Sequence, residues 1–319
     1  MRTPRQCGEN RRAVKSMEAV ETKDLFKTYG GKEPVQALRG VNLSIRKGEL
    51  FTLLGLNGAG KTTFLRIVST QLSLTRGTAQ VLGHDVLAHA DEVRKHIAVV
   101  PQDVQTYSNF TPWEYCYYFS LLRGMSKSRT MEVSEKALRA VELWDLRNRT
   151  CVGLSGGEKK RAIIATALAS DADVLLLDEP TSGLDAVARR KVWAVLRELV
   201  EQGRTILLTT HIMEEAEMLS DRLAIINKGN VIAEGSLEEV KGLAKEKFRV
   251  VVEGNLHDLT LKNHNHVSKF GNKQIIYVGD EDEGLELVRT ALKRGLRAEI
   301  ARITLEDVFV KLVGGIEDN

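Results

Sequence analysis

A lysine and two threonines close a glycine-rich run in this chain, which reads Gly55, Leu56, Asn57, Gly58, Ala59, Gly60, Lys61, Thr62, Thr63. This is the pattern G-x-x-x-x-G-K-[ST], in which successive backbone N–H groups wrap an anionic phosphate chain. The glycines let the backbone approach the anion and take conformations that a Cβ forbids. Lys61 adds a mobile positive charge suited to β- and γ-phosphates, and the Thr62 hydroxyl suits a hard Mg²⁺ ion. Thr63, beside them, is read as capping or packing against the same site. The chemistry expected here is the binding of a nucleoside triphosphate.

Other residues supply groups that such a site would use. Asp178 and Glu179 end the apolar run Asp173 to Leu177 and precede Pro180. Asp178 can hold Mg²⁺ through water, and Glu179 can take a proton from an attacking water. His211 ends a second apolar run, Thr205 to Thr210, and can donate to a γ-phosphate. Gln102 follows the short run Ile97 to Val100, where its amide oxygen can meet Mg²⁺ or the attacking water. Tyr29 closes an alternation that begins at Val20 and is a platform for a nucleotide base. In Leu154, Ser155, Gly156, Gly157, Glu158 the serine is a helix N-cap, and the glycines expose backbone N–H groups at a positive helix end. That makes a second anion site, far along the chain from the first.

These residues need rigid elements to hold them. Leu50 to Leu54 reads as a strand feeding the glycine-rich turn, and a helical pattern follows Lys61. Asp173–Leu177 and Thr205–Thr210 are continuous apolar runs of the kind buried on both faces of a parallel sheet. Open α/β sheets bind ligands at the carboxyl ends of such strands, where Glu179 and His211 fall. Residues before Tyr29 and from Val35 to Ile45 form an antiparallel pair. Thr111 to Trp144 is helical, with Thr111 and Pro112 as start signals and Gly124 as a stop. Val187 to Glu201 is an amphipathic helix, and Arg222 to Ile226 with Val231 to Ala233 form a hairpin. Its turn, Asn227, Lys228, Gly229, Asn230, has Asn where a guanine-reading Asn-Lys-x-Asp box needs Asp, so it is read as a turn. After Gly242 charge replaces the strand-helix alternation. Phe248–Val252, Gln274–Val278 and Arg297–Ile300 read as strands, with helices from Gly284 to Arg294 and Thr304 to Val313, a small α+β unit.

Composition sets the outer limits. The chain has 319 residues, 43% hydrophobic and 28% charged, ordinary values for a globular protein with room for two domains. A net charge of +3, with no dense basic block outside the first residues, gives nucleic acid no special claim. Cys7, Cys116 and Cys151 lack metal-ligand or redox-pair spacing, so reduced thiols in a cytosolic setting are expected. His264 and His266 sit in a polar stretch without partner ligands and are read as incidental. No apolar run approaches the roughly 20 residues of a membrane span. Residues 1–16 carry five cationic side chains, Arg2, Arg5, Arg11, Arg12 and Lys15, against Glu9 and read as a disordered basic extension, with Met17 opening the folded sequence.

The glycine-rich run, Gln102, the LSGGE run, LLLDEP, the SGLD turn and His211, in that order, resemble the ATP-binding-cassette ATPases over residues 20–241. The resemblance implies an α/β P-loop NTPase cassette with a mixed, mainly parallel sheet, antiparallel β and helical subdomains, and ATP and Mg²⁺ as cofactors. It places nucleotide contacts at Tyr29, Gly55, Asn57, Gly58, Ala59, Gly60, Lys61, Thr62 and Thr63. The metal falls to Thr62, Gln102 and Asp178, and catalysis to Glu179, His211 and Lys61. Leu154 to Glu158 would be the signature, whose Ser155, Gly156 and Gly157 touch nucleotide held by a second cassette paired head to tail, and Asp185 would be a further nucleotide contact. That second cassette would be another copy or a paralogue. Residues 17–242 would be the cassette, with a helical subdomain at about 111–170 that contacts a separate membrane permease. Residues 243–319 would be an accessory domain. ITLEDVFVKLVGG, from Ile303 to Gly315, resembles the tail of drug-export-type ATPases. Glu158 stands where importers commonly have Gln, which leans further toward export. The expected function is an ATPase energising an exporter from the cytoplasmic face of the membrane. The rival is a soluble cassette acting on DNA or ribosomes. It is disfavoured because the interval from Lys61 to Leu154 has no heptad run and the chain has one P-loop.

Overall fold

The computed structural model describes residues 18–103, 106–107, 109–254 and 267–314. The basic extension, Cys7, His264 and His266 lie outside these residues. Strands β1 (Glu18–Tyr29) and β2 (Val35–Arg46) pair antiparallel, and β3 (Leu50–Leu54) leads to helix α1 (Lys61–Val68). Then come β4 (Arg76–Val81), β5 (His84–Asp85), α2 (Ala90–His96) and β6 (Ile97–Val100). Three helices follow, α3 (Pro112–Leu122), α4 (Lys127–Ala140) and α5 (Gly156–Ala169). The chain returns to the sheet through β7 (Val174–Asp178), α6 (Ala186–Glu201), β8 (Thr205–Thr210), α7 (Met213–Leu219), β9 (Arg222–Asn227), β10 (Asn230–Gly235) and α8 (Leu237–Lys241). It ends with β11 (Phe248–Glu253), β12 (Val267–Phe270), β13 (Lys273–Val278), α9 (Glu281–Lys293), β14 (Arg297–Arg302) and α10 (Leu305–Gly314).

The central sheet runs β10-β9-β3-β8-β7-β6, parallel except for the β9–β10 hairpin. Its inner strands β3, β8 and β7 are buried throughout, and mostly apolar, because both faces are covered. Successive side chains alternate between two cores, as the two-residue period of a strand requires. Val174, Leu176 and Leu207 join Phe64 and Ile67 of α1 and the β1–β2–β4–β5 sheet. Leu175, Leu177, Ile206 and Leu208 join Ala162 and Ala165 of α5 and Val192 and Leu196 of α6.

The helical insertion is bounded as its sequence requires. Thr111 and Glu114 form a reciprocal capping box with Pro112 in the first turn, and Gly124 (φ 86°) follows α3 in the left-handed region. Arg123 fastens this region to the sheet by donating to the carbonyls of Lys95, Ile97 and Ser170 at 2.7–2.9 Å. The turn between β9 and β10 places Lys228 and Gly229 at φ 46° and 83°, the two-residue geometry that matches strand twist. Cys116 and Cys151 are buried free thiols, and burial pushes Cys116 up to about 12.

Beyond α8, β12-β13-β11-β14 form an antiparallel sheet with α9 against it and a core of Val250, Val252, Ile276, Val278, Leu287 and Ala291. Helix α10, which the sequence groups with this unit, is tied to it through Asp307, which meets Tyr277 and Arg249, and also joins the cassette's core. Its Leu305, Val308, Phe309 and Val313 pack with Leu54, Ala216, Leu223, Ile225 and Val240. Glu217 of α7 anchors the same corner, accepting from the Leu305 N–H at 2.7 Å and pairing with Lys241 at 2.6 Å.

Candidate active site

The glycine-rich turn leaves β3 between β8 and β9, with the Gly55 N–H on the Thr210 carbonyl at 3.2 Å. Gly58 and Gly60 have φ of 78° and 112°, and a Cβ on Gly60 would lie 2.7 Å from the Ala37 carbonyl oxygen. The Ala59 carbonyl accepts from the Gly229 N–H at 2.9 Å, so the β9–β10 turn braces this loop from behind. No side chain caps α1, which leaves its first N–H groups facing a cavity of about 260 Å³. Asn57, Gly58, Gly60, Lys61, Thr62, Thr63, Gln102 and Glu179 line it, with Ala37. An uncapped helix end and a lysine at one concave surface suit a polyphosphate.

Lys61 is 5% exposed, and its ammonium donates to the carbonyls of Gly55 (2.8 Å) and Leu56 (3.1 Å) while lying 3.3 Å from Glu179 Oε1. The other carboxylate oxygen accepts from Gln102 Nε2 at 3.3 Å and lies 3.1 Å from His211 Nδ1. That histidine contact is close without the alignment of a hydrogen bond, and Nδ1 has no bonded partner. Three residues far apart in sequence thus meet on the one carboxylate. Glu179 itself sits at φ 47°, a left-handed conformation that costs a non-glycine residue on the order of 1 kcal/mol or more. Its N–H is held by the Thr209 carbonyl at 3.0 Å, and the Thr209 hydroxyl donates to Asp178 Oδ1 at 2.5 Å. At the rim, the Tyr29 hydroxyl lies 3.2 Å from that of Thr63, and the ring, 38% exposed, has Lys27 Nζ 5.4 Å from its centre.

The glycines of the second anion site are elsewhere. Ser155 and Glu158 cap α5 reciprocally, at 2.7 and 3.3 Å, and the Ser155 N–H holds the Glu158 carboxyl below its usual range. Asp185 caps α6 by accepting from Ala188 and Val187 at 2.9 Å, which lowers its carboxyl too. A Cβ on Gly157 would stand 3.3 Å from Leu184, so these two turns are neighbours. Neither Ser155, Gly156, Gly157 nor Asp185 lines the P-loop cavity.

A family profile described as "ABC transporter" matches residues 38–182. The Nod factor export ATP-binding protein I of Rhizobium etli is 37% identical over 93% of this chain and 94% of its own. The chain belongs to the ABC transporter family. The daunorubicin/doxorubicin resistance ATP-binding protein DrrA of Streptomyces peucetius is 40% identical over 70% of this chain and 67% of its own. Among solved structures, a dimeric ATP-binding cassette in a post-hydrolysis state with ADP and Pi covers 68% of this chain and 98% of its own, at 30% identity and a TM-score of 0.64. This ABC subunit binds ATP and hydrolyses it. Among the described residues, no helix is long and apolar enough to cross a membrane.

The ABC site holds one cation that sequence reading passes over. Lys160, on α5, is 6% exposed and donates to the carbonyls of Glu179 (2.7 Å) and Gln102 (3.1 Å). Burial lowers its ammonium from the usual lysine range, opposed by the charges of Glu179 and Asp178. A signal was there: Lys160, Ile164 and Ala167 recur at helical spacing on the buried face of α5. Glu215 is a second omission. It is fully buried and accepts from Thr181 at 2.7 Å and from Trp193 at 2.9 Å, just behind the Asp178–Glu179 strand end.

Proposed function

We propose that this subunit powers a two-polypeptide exporter by pairing head to tail with a second cassette, a copy of itself or a paralogue, beneath a separately encoded permease. The observation that carries the shared site is the separation of Ser155, Gly156, Gly157 and Asp185 from the P-loop cavity of their own chain. Two anion-facing helix ends that do not converge within one chain converge when two chains are inverted on each other. Export rests on likeness to the Nod factor export and drug-resistance subunits over most of their lengths.

In this reading the N–H groups from Asn57 to Thr63 and the Lys61 ammonium hold the triphosphate, and Tyr29 stacks on the base. Lys61, now folded back on two loop carbonyls, swings to the phosphates. Glu179 orients the attacking water and takes its proton, with Gln102 fixing one carboxylate oxygen and His211 positioned for the γ-phosphate. The hard oxygen donors Thr62, Gln102 and Asp178 suit Mg²⁺, which would neutralise charge on the phosphate oxygens when bound. Transport follows from closing and parting of the two cassettes, passed to the permease through the α3–α4 region, so the subunit works as a peripheral protein on the cytoplasmic face. No observation favours the rival reading, a soluble ATPase on DNA or ribosomes. The test is fractionation after expression with and without a candidate permease of about six transmembrane helices. Sedimentation with membranes only when that protein is present is expected. Persistence in the soluble fraction, or copurification with ribosomes or DNA, would overturn the exporter.

A further inference from the structure

Glu179 is the most constrained residue of the site, and its carboxylate is only part of the reason. Its backbone is left-handed at φ 47°, a conformation that persists only when neighbours over-determine it. Thr209 holds the N–H side of this residue at 3.0 Å. The carbonyl side is held by the ammonium of Lys160 at 2.7 Å, and the same ammonium reaches the Gln102 carbonyl at 3.1 Å. Lys160 is therefore a charged bracket across two loops, one bearing the proposed base and the other the glutamine bonded to it.

The geometry points to Lys160 as a positioning residue that fixes the backbone of Glu179 and Gln102 for attack on the γ-phosphate. The inference deepens the proposed mechanism and rests on Glu179 being the base. Lys160 lies about one turn beyond Gly156 and Gly157, since a helix turns once in about 3.6 residues. It therefore ties the start of α5, proposed to seat on the partner's nucleotide, to the base that acts on its own. Removing the ammonium leaves the buried Glu179 carbonyl and the part-buried Gln102 carbonyl without that donor and frees Glu179 to relax from its left-handed conformation. Nothing that touches nucleotide is lost.

A displacement of the reacting groups by about 1 Å costs on the order of 100-fold in rate. Lys160→Met, which keeps the stem and removes the ammonium, should therefore lower kcat by roughly 10- to 100-fold, while KM and the affinity for a fluorescent ATP analogue stay within about two-fold. Lys160→Arg, which keeps charge and donors, should recover most of kcat. If Lys160→Met does not yield folded protein, Lys160→Gln takes its place, because its shorter amide cannot span both carbonyls. Parental kcat in the Met or Gln variant would overturn the proposal, as would loss of ATP affinity in step with kcat, or an Arg variant no better than Met. Glu179→Gln, run alongside, separates the two readings. If it hydrolyses ATP at the parental rate, the base assignment fails. If it is inactive while Lys160→Met is parental, only the bracket fails.

Discussion

Replacing Glu179 by Gln keeps the shape of the side chain and removes its ability to accept a proton. General-base catalysis contributes about 10²- to 10⁴-fold, or roughly 2.7–5.4 kcal/mol of barrier at 1.36 kcal/mol per decade, so hydrolysis should fall by that factor. The surroundings set a second, smaller cost. One carboxylate oxygen faces the Lys61 ammonium at 3.3 Å and the other the Gln102 amide nitrogen at 3.3 Å. A glutamine can offer its oxygen to only one of these donors and must turn its own NH₂ toward the other. Lys61 keeps two carbonyl acceptors, so the loss is one buried hydrogen bond set against a donor, on the order of 1–2 kcal/mol. That lowers Tm by only a few degrees in a chain of this size. The variant should then bind ATP while turning it over slowly, and unhydrolysed ATP shared between two chains should hold them together. Single-turnover hydrolysis and light scattering test the two parts. A rate near the parent's would remove Glu179 as the base. A variant that binds ATP yet stays monomeric across micromolar concentrations, with no change on exchanging ADP for ATP, would remove the shared site.

Tyr29→Ala should weaken ATP binding by roughly 5- to 150-fold, since stacking on a base contributes about 1–3 kcal/mol, while Tyr29→Phe keeps the ring and stays near the parent. Equal affinities for both variants in nucleotide titration would take the base off this ring. Phe309→Ala should destabilise the cassette by about 3–5 kcal/mol, because the side chain is 3% exposed in the core shared with Leu54 and Leu223. A denaturant midpoint close to the parent's would show that α10 is not integral to that core. Asp307 is pushed up by burial, but donors on Thr304 and Tyr277 and the charge of Arg249 outweigh this and hold its carboxyl low. A depressed folded value means that its stabilisation is complete above the ordinary carboxylate range, about pH 4–5, and fades as pH falls through the folded value. Asp307→Asn should lose stability at neutral pH and show a flatter acid limb. An acid unfolding curve parallel to the parent's would contradict the assignment.

The parts legible from sequence were those in which local pattern and final structure obey the same rule. The apolar runs before Asp178 and His211 are strands because both faces of the sheet are covered, and Thr111 with Glu114 caps α3 as the spacing of the two residues demands. Lys160 was less visible, since between Lys159 and Arg161 it looks like one of three solvated cations. Only its place on the buried face of α5 separates it from them. The convergence of Gln102 and His211 on Glu179 is a product of strand order, with β6, β7 and β8 side by side, and no short window contains it. Helix α10 was only partly legible, for a different reason. Its apolar stripe shows that it is buried but not against what: the stripe covers Leu54, Leu223 and Ile225, while Asp307 and Lys311 meet Tyr277 of the small sheet.

That placement of α10 bears on how the subunit is made. The surface presented by Leu54, Leu223, Ile225 and Val240 receives its cover from Ile303 to Val313. At 5–20 residues per second a ribosome needs on the order of 4–15 s to add the roughly 70 residues between Val240 and Val313. For that interval a nascent chain already holding the P-loop, the signature and the Asp178–Glu179 strand carries an open apolar edge, the kind of surface that chaperones hold and that aggregates when left alone. A chain cut short before Phe309 would retain every residue proposed to touch nucleotide and still lack the seal on its sheet. A chain with α10 in place thus differs from one without it in a single exposed apolar edge.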